Sequence, residues 1–108
     1  MDVSPQLHHA YEVLAAAGLG VPVLLPGDSL PEGNFLRLSL VSATHRAAYG
    51  LTGTELLGQA SAFGATYLDS LTLADAAGQA LDTAGLQPRQ TREGPAEVGS
   101  HHLVEFEI

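Results

Sequence analysis

The sequence predicts an α+β domain: an antiparallel sheet of four to five strands with two helices on one face. Three observations lead there. Residues 55–64 alternate as a strand with one face almost stripped of bulk. Residues 67–84 follow at once with a wide apolar arc at helical spacing. The remaining apolar runs are short, alternating and separated by Gly and Pro clusters, the pattern of an antiparallel sheet rather than of repeated strand–helix–strand units.

The elements follow in order. Ser4 before Pro5 reads as an N-cap with proline in the first turn, and Gly18 ends a helix over 5–17. Leu7, Ala10, Tyr11, Val13, Leu14 and Ala17 share one side of it, with His8, His9 and Glu12 opposite. Residues 21–25 are apolar but carry Pro22 and run into Pro26, which suits an edge strand or an extended lead-in. The turn formers of 26–34 make a loop. Over 35–43 Leu36, Leu38 and Leu40 alternate with Phe35, Arg37, Ser39 and Val41, as in a central strand.

Thr44 to Thr54 is read as a long loop between the second and third strands, above the usual connection length. A simple continuation of both strands is the other reading. It carries His45, Arg46, Tyr49 and Leu51, types favoured where proteins meet.

In the strand 55–64, Leu56, Gly58, Ala60, Ala62 and Gly64 form the bare face, which allows another backbone to approach closely. Thr66 with Asp69 is a short-acid variant of the capping box, and Gly85 is the expected left-handed residue beyond the second helix, 67–84. Leu71, Leu73, Ala74, Ala77, Gly78, Ala80 and Leu81 fill its apolar half, and Asp69, Thr72, Asp75, Gln79 and Asp82 its polar half. That arc is wider than one sheet face requires, so it touches something besides the sheet, either the first helix or a second copy, and Leu73, Ala77 and Ala80 are the candidate contacts. Residues 86–92, with Pro88 as a guard against edge pairing, and 101–108 form a closing hairpin.

The chain has 108 residues, a single-domain length, and a formal charge of −8 from 12 acids and four arginines. Such a balance argues against tracking a nucleic-acid backbone, which needs clustered Lys and Arg. Without cysteine there is no thiolate chemistry and no disulfide. No apolar run approaches membrane-spanning length, and Asp2 stands where a secretory signal needs a basic start, so synthesis and residence in the cytoplasm are expected.

No catalytic, cofactor or metal site is expected. Neighbouring histidines in His8-His9 and His101-His102 diverge on a helix or a strand, so neither pair chelates one ion, and exposed histidines on polar faces are the expectation. The sequence holds no nucleophile elbow, no lysine for a Schiff base and no phosphate-binding loop. Asp75, Gln79 and Asp82 are read as a solvated helix face.

The segments VPVLLPG, PEGNFLRLSLVS and GLTGTELLGQASAFGAT, then YLDSLTLADAAGQALDTAGL, resemble the tail-terminator or tail-completion proteins of long-tailed bacteriophages and their prophages. Leu57, Gln59, Ser61 and Phe63, with Leu73, Ala74, Asp75 and Leu81, carry the likeness; Ala62 between Ser61 and Phe63 departs from the family's compact form. The resemblance spans about four-fifths of the chain and rests on order and texture rather than on a short motif. It implies a non-enzymatic subunit that forms a ring, typically a hexamer, on the end of a tail tube, with tail-tube and head-connector proteins as partners and DNA passing through the lumen. The protein would then be found in the virion tail once assembled. A small ligand-binding or enzymatic dimer with a pocket between sheet and helix is the alternative, and an acidic inhibitor that mimics nucleic acid a third reading.

Overall fold

The computed structural model describes residues 5–46, 52–96 and 99–107. Along the chain run α1 (Pro5–Ala16), β1 (Val23–Leu24), β2 (Phe35–Arg46), β3 (Thr52–Gly64), α2 (Tyr67–Thr83), β4 (Arg92–Gly94) and β5 (Ser100–Glu107). The chain is α+β: five strands lie in the order β1-β2-β3-β5-β4, and both helices pack on one face. The sheet is mixed rather than wholly antiparallel, because β1 pairs parallel to β2 (Val23 with Leu36, Leu24 with Arg37) while every other pairing is antiparallel. The turn-rich stretch 26–34 carries the chain back to the other end of the sheet before β2 starts, so two consecutive strands run the same way.

The core lies between that face and the helices. Leu36 and Leu38 of β2, Ala60 and Ala62 of β3, and Val104 and Phe106 of β5 meet Leu73, Ala74, Ala77 and Leu81 of α2 and Leu7, Ala10 and Leu14 of α1. The bare face of β3 is used in two ways. At Gly58 the ring of Phe106 lies where a side chain would be, since an added Cβ would stand 2.3 Å from its Cζ. At Gly64 the start of α2 closes on the strand, and a Cβ would meet Ser70 N at 2.8 Å.

Helix α2 starts and stops as its sequence dictates. Thr66, in an extended conformation, accepts the Asp69 N–H on Oγ1 at 3.1 Å. At the other end Gly85 (φ +79) donates to Asp82 O and Leu86 donates to Leu81 O, the paired bonds of a Schellman turn.

Two boundaries differ from the sequence reading. Thr44–Arg46 and Thr52–Thr54 are strand, in unbroken register from Phe35↔Phe63 to Arg46↔Thr52, so the eleven-residue loop shrinks to the connection 47–51. The expected strand 86–92 is displaced: only Pro88 bridges to Phe106, and the strand proper is Arg92–Gly94. Gln87, at φ +49, lies in the bend between the end of α2 and the Pro88 bridge.

Candidate functional site

The β2–β3 hairpin outruns the rest of the sheet. β5 covers β3 only from Leu57 (opposite Glu107) to Gly64, and β1 covers β2 only at Leu36 and Arg37. Residues 42–46 and 52–56 therefore form a two-stranded arm, about 17 Å long at ~3.4 Å per residue. It accompanies a long axis of 46 Å against 28 and 27 Å for the others.

The direction of the backbone groups on the arm follows from one bond. The Leu36 N–H reaches away from β3 to Pro22 O at 3.0 Å. With no bulge as far as Arg46, the N–H and C=O groups of Leu40, Ser42, Thr44 and Arg46 point the same way. Their register partners Thr52, Thr54 and Leu56 point outward on the other side. Among the described residues no strand pairs with either edge of the arm.

Such edges are ordinarily blunted by Lys, Pro or charge. The opposite margin of the sheet has that protection, in Pro88, Arg89, Arg92, Glu93 and Pro95. Leu40 to Thr44 has none.

His45 and Arg46 lie at the end of β2, on this arm. Tyr49 and Leu51 fall outside the described residues. Leu73 (8 % exposed) and Ala77 (0 %) turn into the chain's own core, under β3 and β5, because the wide arc of α2 is filled by both the sheet and α1. Ala80 lies half-buried in a groove of about 540 Å³ between α1 and α2, with Val13, Ala16, Leu19, Ala76 and Thr83. The arm and this groove are thus separate surfaces, and only Ala80 of the three helix candidates lines the latter.

The histidines at 101 and 102 are buried, a correction to the expectation of exposed side chains; His8 and His9 are exposed, and His8 pairs with Glu12 at 3.1 Å. His102, on the helix side, has its Nδ1 2.7 Å from Ser70 Oγ, which also lies 3.1 Å from Tyr67 O and 2.8 Å from Ser100 Oγ. Ser70 Oγ has one proton for these three neighbours, so the direction of its bond with His102 Nδ1 follows the imidazole tautomer. Both groups are sealed from water, at 0 % and 2 % exposure. The cluster is a polar joint that ties the start of β5 to the first turn of α2.

His101, on the other face, donates from Nδ1 to Pro95 O at 2.9 Å and stacks on Phe63 with ring centres 4.2 Å apart. Burial, reinforced by the nearby Arg37 and His102, lowers its pKa below the ordinary 6.5 despite the bond to Pro95.

Among the described residues no three His, Asp or Glu side chains gather as metal ligands, and no helix is long and apolar enough to cross a membrane. The layer between sheet and helices, where a pocket was the alternative expectation, is filled by Ala60, Ala62, Leu73, Ala77 and Phe106. No protein-family model matches the sequence, and no curated protein matches it.

Proposed function

We propose that the chain is a structural, non-enzymatic subunit of the tail-terminator or tail-completion kind. Copies of it join head to tail into a ring, six-membered by the family resemblance, on the end of a tail tube. There the ring stops tube growth and presents the surface on which the head connector docks. In this reading the protein is made in the host cytoplasm and ends in the virion tail. DNA passes the lumen past carboxylates that repel it.

The observation that carries the reading is the arm with both edges uncovered. A closed ring needs two different complementary surfaces on each copy. The outer edge of β2 (Leu40–Arg46) and the outer edge of β3 (Thr52–Leu56) are two such surfaces at the same level of the arm, each short of hydrogen-bond partners. Pairing the β2 edge of one copy with the β3 edge of the next leaves no edge over once the ring closes. A two-fold pair of β2 edges would leave both β3 edges open.

The absence of native cysteine makes the test clean. Ser42→Cys and Thr54→Cys chains are prepared separately and treated with a short thiol crosslinker, alone and mixed, beside native mass spectrometry of the unmodified protein over a range of concentrations. The expected result is a crosslinked dimer only in the mixture and a hexameric mass at high concentration. Crosslinking of Ser42→Cys with itself, or a protein that stays monomeric throughout, sinks the proposal.

A further inference from the structure

The face of the sheet turned away from the helices carries a row of rings. Register aligns Phe35, Phe63 and His101 across β2, β3 and β5. They stack at 4.8 and 4.2 Å between centres, with planes within 18° and 11° of parallel. Next to this row the Arg37 guanidinium lies over Phe63, its Cζ 5.5 Å from the ring centre. Leu30 and Gly33 from the loop before β2, with Gly64, Ala65 and Gly99 from the end of the sheet, complete an open cleft of about 750 Å³. That volume is in the range of small-ligand sites, ~300–1,000 Å³.

Arg37 is the unusual member. Among the described residues its guanidinium meets no carboxylate and no hydrogen-bond acceptor, in a chain with 12 acids; Arg92, by contrast, reaches Glu105 at 3.1 Å. It is half-buried, so its hydration is incomplete, and the Phe63 face holds its plane in position. A guanidinium fixed this way presents paired N–H donors that match a carboxylate. The remaining walls are apolar: Phe35 and Phe63 on the floor and Leu30, 60 % exposed, at the rim. His101 adds no second positive charge near neutral pH, since burial favours its uncharged form.

We propose that this cleft binds a carboxylate carried on an apolar body, with the Arg37 guanidinium clasping the carboxylate and the body lying between Leu30 and the Phe35–Phe63 pair. The site is independent of the ring interface, being on the far side of the sheet from the α1–α2 groove and removed from the arm.

The test is a titration followed by amide chemical shifts. Two probes present the same chemistry from different sources: 3-phenylpropionate as a free acid, and acetyl-Leu-Glu-Phe-amide as a protein-like segment whose only carboxylate is a side chain. Their neutral counterparts are 3-phenylpropionamide and the Gln peptide. Saturable shifts at Gly33, Gly64, Ala65 and Gly99 with either acid, at least ~10-fold weaker for the matching neutral compound and for Arg37→Gln, support the site.

Leu30→Ala, a surface change that leaves the core intact, weakens binding roughly fivefold. Whichever acid binds identifies the source. Equal binding of acid and amide, shifts that survive Arg37→Gln, or no saturable shift with either probe overturns the proposal.

Discussion

Gly58 and Gly78 look alike in the sequence and differ in what surrounds them. A methyl group at Gly58 would overlap the Phe106 ring at 2.3 to 2.9 Å, and Phe106 is fully buried. Gly58→Ala is therefore expected to cost about 1–3 kcal/mol by overpacking. At Gly78 a methyl group would meet only the Val104 methyls, at 3.9 and 4.0 Å, inside a helix. Gly78→Ala is expected to stabilise by ~0.5–1 kcal/mol. Urea midpoints of the two variants test both signs at once. The alternation of β3 revealed that the face around Gly58 is bare; that a ring from β5 fills it was not legible, because neither strand pairing nor facing partners can be read from one strand.

His101 gives a pH dependence at the same scale. Its folded-state pKa is below the unfolded value near 6.5, so the unfolded chain takes the proton first. Above pH 6.5 this site contributes a constant stability. As the pH falls from there toward the folded pKa, that contribution is lost. Denaturation midpoints measured from pH 7.5 to 5.5 should decline in the native protein and flatten in His101→Gln, whose amide retains a donor for Pro95. Burial of both 101 and 102 was hidden by residue type: alternation places the pair on opposite faces, but only the neighbours Phe63 and Ser70 reveal that each face is covered there.

At the scale of elements, the ends of α2 were readable because capping is local chemistry. Thr66 accepts a bond within its own first turn, and Gly85 adopts the left-handed conformation just past the last. The hairpin arm was legible only as one of two readings, because eleven residues exceed a tight turn, whereas Thr44, Thr52 and Thr54 were the signal for continuing both strands. The parallel direction of β1 had no signal at all in two residues.

The arm allows a separation of pairing from folding. Thr44→Pro and Thr54→Pro each remove an N–H that points away from the hairpin's own ladder, a change edge strands tolerate. Each is expected to abolish self-association in native mass spectra while the thermal midpoint stays near that of the unmodified chain. Ala43→Pro takes a donor from inside the ladder and should lower the midpoint as well. Association that persists in both threonine variants would mean that the arm edges are not the joining surfaces.

For the whole molecule, class was legible and arrangement was not. Alternating short strands and one long amphipathic helix suffice for α+β with helices on one side. The order β1-β2-β3-β5-β4 depends on contacts distant in sequence, with β5 entering between β3 and β4. The arm, the α1–α2 groove and the aromatic face are products of that arrangement. Of the residues named as contacts, the two that the core absorbed, Leu73 and Ala77, show the limit: an apolar arc tells how much of a helix is covered, but not by what.

The position of β5 has a consequence for biosynthesis. Of the five strands of this sheet it is made last, yet it supplies Val104 and Phe106 to the interior and the covering edge for β3. Until it emerges, a nascent chain holds a ready-made helix and hairpin around a vacancy, with β3 open to a stray strand from a neighbouring polysome. Closure of this domain thus waits for β5, and the interval before it is when a chaperone would be of most use to this protein.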